Sequence, residues 1–430
     1  MTSTKAESAP ERGQNAERGS DARQKFETIL STLAGFGVFG LALITGPMLG
    51  RALDEDGRGS LAAVVVSTQI ISWAIMFGLP QATAYYATKH RRTALINTTW
   101  WFAALVGVPV IAVIAYVGPG LLERGGHPPL VTQWFRLYLV LGLLVLPYTT
   151  AYDWLRGRME NGRFNLWRSL PVVLTTAFIF GLFVAGRLTL TSALAATALG
   201  NVIGWLTTIY VERALPTARP DIGVAREQLH YGSRIWVGTL SNLVVARFDQ
   251  FLMIPLIDAG QLGLYVVAST AAQASSPLSQ GVALAVFPYL REDADDGAAS
   301  WARTRKVLIW TGALSVAIGL GMAAVAPFAI PWLFGGFRGA IVPLLILLPG
   351  QVFWNLGNVA SSKLEADDRP GASSWALAVA AVITVIAVPF VVPTYGIRGA
   401  AVVTTIAQFA FMAWAIIAAR RDVPGTSVRK

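Results

Sequence analysis

Arg247 and Asp249 are the two charged residues of a long apolar stretch, residues 235–257. If this stretch is a membrane helix that begins near residue 235, Arg247 lies roughly 18 Å into a hydrocarbon core of about 30 Å. Charges at that depth are costly and rarely face lipid. The two residues are two positions apart, so they point to nearly opposite sides of the helix and do not pair with each other. Each therefore needs a partner helix or a watery cavity.

Two interpretations of these charges are open. In the first, one of them forms a buried ion pair with another helix and has only a structural role. In the second, at least one lines the pathway of a substrate or an ion. The second is favoured because Asn242 and Asp249 are seven positions apart and share one helix face. We therefore predict that Arg247, Asn242 and Gln250 bind substrate. Asp249 either binds a coupling H+ or Na+ or holds the helix in place.

Further polar side chains occur within other apolar stretches. Of these, Gln81, Asn355 and Asn358 are predicted to contact substrate, and the two asparagines are at helical spacing. The alternative for each is a hydrogen bond to a neighbouring helix, which is the common role of an amide inside a membrane.

The sequence contains no pattern typical of an enzyme or a cofactor site. It lacks a GxxxxGK[ST] loop for nucleotide phosphates and a GxSxG nucleophile turn. It has no cysteine, and its three histidines, His90, His127 and His230, are far apart in sequence. An acidic run at residues 292–296 is predicted to be a solvated loop. We therefore predict that the protein is not an enzyme and binds no metal or cofactor.

The elements that must hold these polar residues are membrane helices. Of the 430 residues, 54% are hydrophobic and 13% are charged, and the mean hydropathy is +0.55. A soluble domain typically has about 25% charged residues, so this composition indicates a polytopic membrane protein. The apolar runs are continuous rather than alternating, which favours an all-α protein over a barrel. No run interleaves basic and aromatic residues, so we predict no nucleic-acid partner despite the net charge of +10.

A spanning helix needs roughly 20 apolar residues, and the sequence has about twelve such stretches. The predicted spans are residues 28–49, 61–83, 94–117, 131–152, 169–186, 191–210, 235–257, 264–288, 307–330, 340–361, 374–394 and 399–419. Residues 1–27 and 421–430 are predicted to be cytoplasmic tails, the first of them disordered and without the apolar run of a signal peptide.

The basic residues predict the orientation. With a cytoplasmic N-terminus, the inner segments hold 26 of the 34 lysines and arginines, and the outer segments hold 7. Cytoplasmic loops are enriched in these residues, so we predict a multi-pass protein with both termini cytoplasmic. In this assignment Arg58 belongs to the first outer connection, and Arg247 is the only basic residue deep within a span. The outer connections are too short to hold a catalytic domain.

The chain is predicted to form two lobes of six helices, residues 28–212 and 234–420, joined by a cytoplasmic linker at residues 213–233. Similar acid–glycine turns, DEDGRG at 54–59 and DAGQLG at 258–263, occupy the same place in each half. Because six is even, both halves enter the membrane from the same side. The prediction is therefore a parallel repeat around a central cavity.

Several short stretches also resemble a known family. They are YGS at 231–233, the Arg247 segment, GLY at 263–265, PYL at 288–290 and YGIRGAA at 395–401. In order and spacing, over residues 28–420, they resemble the polysaccharide-biosynthesis (O-antigen flippase-like) branch of the multidrug/oligosaccharidyl-lipid/polysaccharide exporter superfamily.

The resemblance implies a central cavity that opens to one side at a time. It implies transport of a polyprenyl-pyrophosphate-linked oligosaccharide across the bacterial cytoplasmic membrane, with Arg247 pairing with the pyrophosphate. Membrane lipids and associated glycosyltransferases or a polymerase are the implied partners. Two alternatives stay open. One is an ion-coupled exporter of small cationic or amphipathic compounds, which should have more deep acids than Asp249 alone. The other is a membrane glycosyl polymerase or ligase, which usually has a long outer loop.

Overall fold

The computed structural model describes residues 37, 40, 41, 44–275, 297–367 and 369–420, and the regular structure in these residues is helical. The N-terminal half contains α1 (residues 44–52), α2 (Glu55–Ile75), α3 (Leu79–Tyr86), α4 (Arg92–Phe102), α5 (Val108–Val117), α6 (Pro119–Arg124), α7 (Pro129–Gly142), α8 (Val145–Gly157), α9 (Asn161–Val184) and α10 (Leu190–Val211). The C-terminal half contains α11 (Ile222–Leu243), α12 (Asp249–Met253), α13 (Ala259–Ala272), α14 (Gly297–Phe334), α15 (Ile341–Ala366) and α16 (Pro370–Arg420). Both predicted tails, most of the first predicted span, the end of the eighth and the acidic run at 292–296 lie outside the described residues.

Eight helical segments within the described residues are long and apolar enough to cross a bilayer. They are Glu55–Ile75, Arg92–Arg124, Pro129–Gly157, Asn161–Val184, Leu190–Val211, Trp301–Phe334, Arg338–Ala366 and Gly371–Arg420. Large apolar side chains project from them, such as Tyr116, Phe328 and Phe390, which are 86%, 78% and 76% exposed. Such surfaces are suited to contact with lipid rather than water. The prediction of an all-α polytopic membrane protein is confirmed.

The last of these segments holds two predicted spans, 374–394 and 399–419. Gly396 interrupts it with φ 57° and ψ −146°. A positive φ is accessible to glycine at little cost and is strained for other residues. The segment therefore consists of two helices that meet at Gly396.

The helix α2 begins at Glu55, six residues before the predicted start of its span at residue 61. Asp54 caps it, because its carboxylate accepts a hydrogen bond of 2.7 Å from the backbone N–H of Gly57. A cap and acids in the first turn stabilise a helix start independently of hydropathy. Arg58 therefore lies in the first turns of α2 rather than in a connection that precedes it.

Part of the predicted linker, residues 213–233, is helical. Asp221 caps α11, accepting hydrogen bonds from Gly223 N–H at 2.9 Å and Val224 N–H at 3.3 Å. Residues 222–233 are therefore helical and continue into the predicted seventh span. Hydropathy did not indicate this start because the first turns of α11 are polar.

The two halves meet along one line of contact, here called the seam. It is formed by α2, α3 and α4 from the N-terminal half and by α11, α12 and α13 from the C-terminal half. Midway along it, Val66 and Ile70 of α2 pack against Leu243 of α11. Such contacts are held by close van der Waals packing. Any movement of one half against the other must change this seam.

Glycines bring the two backbones together at both ends of the seam. Following the predicted orientation, we call the face that holds residues 87–91 the inner face and the opposite face the outer face. Toward the outer face, a Cβ on Gly59 would lie 1.7 Å from the carbonyl oxygen of Ala259. Toward the inner face, a Cβ on Gly78 would lie 2.2 Å from the carbonyl oxygen of Gly232. Only residues without a side chain allow such approaches, so the halves touch on both faces.

Candidate anion site at the seam

Arg247 lies in a π-helical turn, Val244–Phe248, that joins α11 to α12. A π turn holds one more residue than an α turn, and such turns are frequent at functional sites. The extra residue changes the direction of the side chains that follow. Asp249 and Gln250 are buried within the C-terminal half, whereas Arg247 is only half-buried, in a turn that contacts α2 across the seam.

Arg58, near the start of α2, lies close to Arg247 of the other half. The two guanidinium groups are close enough to interact as like charges. Both side chains keep some accessible surface. Among the described residues, neither forms an ion pair, and the Arg58 Nε is buried without a hydrogen-bond partner.

Two cations held close together favour an anion between them. Like charges repel more strongly in a medium of low dielectric constant than in water. Guanidinium groups present paired N–H donors that match the oxygens of a phosphate. The arrangement can therefore bind a phosphate-type anion with one arginine from each half. Sequence reasoning missed Arg58, although the cap formed by Asp54 was a usable signal for the earlier helix start.

Asp249 is tied into a network within the C-terminal half. Its Oδ2 accepts hydrogen bonds from the hydroxyl of Tyr265 at 2.5 Å and from that of Thr404 at 3.1 Å. Its Oδ1 accepts one from the backbone N–H of Gln250 at 2.7 Å. A buried carboxylate with such donors is well satisfied. The network joins α12 to α13 and α16.

Two other predicted residues lie close to Arg247 in sequence and differ from it in surroundings. The side chain of Gln250 is fully buried, and its Nε2 donates a hydrogen bond of 3.0 Å to Ser269 Oγ. It therefore lies away from the surface that Arg247 presents. Asn242 belongs to α11, and its side chain lies outside the described residues.

The remaining predicted residues are on separate helices. Gln81 lies on α3, half-buried, with a buried Oε1 that has no hydrogen-bond partner among the described residues. Asn355 is buried, and its Nδ2 donates a hydrogen bond of 3.1 Å to Ser315 Oγ on α14. Asn358, one turn further along α15, is half-buried. Arg247 thus has two charged neighbours, Arg58 from the other half and Asp249 from its own. Gln250 and Asn355 form hydrogen bonds within their own half.

The inner end of the seam carries aromatic and ionic contacts between the halves. The rings of Tyr85 on α3 and Tyr231 on α11 are stacked with centroids 4.2 Å apart. His90 Nε2 and Glu227 Oε2 are 2.9 Å apart. These contacts close the space between the halves on this face.

The outer face is held by an arginine that binds the end of a helix. Arg51 of α1 donates hydrogen bonds to the carbonyl oxygens of Leu333 at 3.0 Å and Trp332 at 2.8 Å. These are carbonyls of the last turn of α14, which favours a cation. The contact joins the two halves on the outer face.

An ionic cluster lies at the inner end of the N-terminal half. The buried carboxylate of Glu212 accepts hydrogen bonds from Arg163 at 2.8 Å, from Arg92 at 3.2 Å and from the Trp167 indole N–H at 2.5 Å. The Arg92 guanidinium also lies 4.5 Å from the ring centroid of Trp154. This cluster ties α4 and α9 to the end of α10.

Solved structures of two transporters superpose on this chain over most of its length. The structure of lipid II flippase MurJ in an inward closed conformation superposes with a TM-score of 0.76 at 12% identity, covering 91% of this chain and 88% of that one. An inward-facing multidrug resistance MATE family transporter of the MOP superfamily gives a TM-score of 0.71 at 14% identity, covering 89% and 93%. The likeness shows a shared MATE- and MurJ-like fold.

Sequence comparison adds a relative and a family. Lipopolysaccharide biosynthesis protein WzxC of Escherichia coli (strain K12) is 22% identical over 359 residues, which are 79% of this chain and 69% of that protein. The family of polysaccharide biosynthesis proteins matches residues 26–292, which is more than half of the chain. The resemblance seen in the short motifs is therefore confirmed, and the chain belongs to the polysaccharide biosynthesis protein family.

Proposed function

We propose that the protein is a flippase that moves a polyprenyl-pyrophosphate-linked oligosaccharide, or a related polysaccharide precursor, across the bacterial cytoplasmic membrane. The pairing of Arg58 with Arg247 supports this most strongly. A pyrophosphate diester is a dianion, and two guanidinium groups from opposite halves match its charge and its oxygens. Family membership and the WzxC relative support the same class of cargo.

The architecture of this flippase is proposed to be two six-helix lobes, residues 28–212 and 234–420, in parallel repeat around a central cavity. Both termini are then cytoplasmic. The half-buried arginines supply the charged wall of the cavity. The two ends of the seam act as gates, and the lobes rock so that one gate opens while the other stays closed.

The saccharide would be held by amide side chains rather than by charge. Gln81 and Asn358 are half-buried and on helices of different lobes, so they are the best placed of the predicted amides to reach sugar hydroxyls. Asn242 is proposed for the same role. Gln250 and Asn355 would act through their bonds to Ser269 and Ser315, by fixing helix positions.

Asp249 is proposed to anchor the C-terminal lobe, and it is the candidate to bind a coupling H+ or Na+. The oxygens of Asp249, Tyr265 and Thr404 lie within hydrogen-bond distance of one another. No nucleotide-binding motif occurs in the sequence, so the energy would come from an ion gradient, the membrane potential or removal of the product. Glycosyltransferases or a polymerase are proposed as neighbours in the membrane.

The alternative, an exporter of small cationic compounds, has the same fold in its favour. The arginine pair opposes it, because Arg58 and Arg247 together would repel a cation bound beside them. A glycosyl polymerase or ligase is disfavoured by the family and by the short outer connections.

The experiment is transport of a labelled polyprenyl-pyrophosphate oligosaccharide in proteoliposomes. We expect Arg58→Ala and Arg247→Ala to abolish translocation at normal membrane insertion. Arg338→Ala, at an exposed arginine on the outer face, is the matched control and should transport normally. Wild-type transport by both seam variants would overturn the proposed role of the pair. Transport of cationic dyes but not of the lipid-linked saccharide would favour the exporter.

A further inference from the structure

His127 lies at the outer end of the seam, in the connection between α6 and α7. It is only 5% exposed. Gly125, two residues earlier, contacts the other half, since a Cβ there would lie 2.1 Å from the carbonyl oxygen of Ile254. The same Cβ would lie 3.2 Å from His127 Cδ2. The imidazole is therefore enclosed by the contact between the two halves, outside the spanning segments.

Neither ring nitrogen of His127 has a hydrogen-bond partner among the described residues, and both are buried. The charged groups that face it are Asp258, at the start of α13, and Asp56, on α2. One of these carboxylates thus belongs to each half. Buried polar groups without partners are uncommon and costly. A conformation in which this imidazole is hydrated therefore removes that cost.

A pocket lies next to the connection that holds His127. It has a volume of about 540 Å³ and is lined by Arg124, Gly125 and Gly126 from the side of this connection and by Asp258, Gln261 and Thr394 from the other half. The pocket straddles the seam, so separation of the halves would join it to the space around His127 and hydrate the ring.

Burial lowers the pKa of His127, and the nearby carboxylates of Asp258 and Asp56 oppose this effect in part. In a separated seam the ring is hydrated, and its pKa returns toward the ordinary value of about 6.5. The closed seam therefore prefers the neutral ring more strongly than the open seam does.

We propose that His127 is a proton-binding site that controls the outer gate, with the neutral imidazole permitting the closed seam and the protonated imidazole favouring its separation. The inference rests on the two gates of the proposed function and not on the identity of the cargo. External acid then holds the transporter open to the outside, and loss of the proton allows it to close and reset.

The sign of the pH dependence follows from this difference. Closure is favoured fully above the pKa of the open seam and is weakened as the pH falls through about 6.5. Below that value, the ratio of open to closed seam should rise by up to about tenfold per pH unit until the pKa of the closed seam is reached.

The experiment measures the width of the outer seam directly. The chain has no cysteine, so Glu123→Cys and Thr394→Cys, at exposed positions on the two halves, can carry spin labels without other changes. Distances in nanodiscs between pH 8 and pH 5.5 should shift toward a longer population in the acid range. His127→Gln should remove this shift, and His127→Lys should show the longer distance at pH 8.

His230→Gln is the matched control, because His230 is exposed on α11 and its substitution should keep the acid shift. A shift that persists in His127→Gln would assign the response to the carboxylates and overturn the proposal. An outer distance that does not change with pH would overturn it as well. Neither result depends on the transport assay. Failure of the proton site and failure of the proposed cargo can therefore be told apart.

Discussion

Arg58 and Arg247 approach each other from opposite halves of the chain, with neither in an ion pair in the part that the structure describes. Their like charges oppose close approach of the halves, and an anion between the arginines would relieve this repulsion. We therefore expect anion binding to favour closure of the halves.

Lysine at either position keeps the charge but loses the paired N–H donors. We predict that Arg58→Lys and Arg247→Lys each lower the initial rate of lipid-linked saccharide transport by about tenfold, less than the alanine variants. The double alanine variant should be no worse than either single one, because the two act as a unit. Equal rates for lysine variants and wild type would show that bidentate binding is not required.

Gly59 provides a test of the outer gate. Alanine there would place its Cβ 1.7 Å from the carbonyl oxygen of Ala259, so we predict that Gly59→Ala separates the outer seam and reduces transport. Spin labels at the 123 and 394 positions should report a longer distance at pH 8. Gly319→Ala, whose Cβ meets nothing within 4 Å, is the control and should leave distance and transport unchanged. An unchanged distance in Gly59→Ala would contradict a glycine-dependent gate.

The hydroxyl groups around Asp249 should contribute to stability. Tyr265→Phe removes a hydrogen bond to a buried carboxylate, and we predict a loss of about 1–3 kcal/mol in the free energy of unfolding. Thr404→Val should act in the same direction. Thermal unfolding in detergent measures this, with Tyr395→Phe, at an exposed tyrosine, as the control. Unfolding temperatures equal to wild type would mean that Asp249 is not held by these donors.

Glu212 should contribute to the stability of the N-terminal half. Glu212→Gln leaves Arg92 without its carboxylate, whereas Arg163 keeps its ion pair with Glu160. We predict a loss of about 3 kcal/mol in the free energy of unfolding because the Glu212 side chain is fully buried. Arg163 is about half exposed, so the loss should come mainly from Arg92. Glu123→Gln on the exposed outer face is the control. A variant as stable as wild type in thermal unfolding would contradict this role.

The helices could be predicted from the sequence because a membrane demands long apolar runs. The break at Gly396 falls between the predicted spans 374–394 and 399–419. The starts of α2 and α11 were missed because capping by Asp54 and Asp221, rather than hydropathy, decides them. A rule that counts apolar residues alone does not detect a cap.

The site was less predictable than the helices. Arg247 could be predicted as a site residue because charges inside a span are rare. Arg58 could not, because the acidic residues just before it made residues 54–59 look like a connection between spans. Gln250 and Asn355 have the same residue types as a sugar site, yet each bonds to a serine on a neighbouring helix. Which amide faces a cavity depends on helix rotation and on the π turn before Asp249. Neither can be predicted from residue spacing.

The close backbone contacts at Gly59 and Gly78 exist at the same time in one structure. A protein that can seal both ends together need not pass through a continuous water-filled channel when it changes sides. Ions would then have no leak path during turnover, and the electrical and proton gradients of the cell would be preserved however often the transporter cycles. Patch-clamp or ion-flux recordings of liposomes should therefore show no conductance with the wild-type protein.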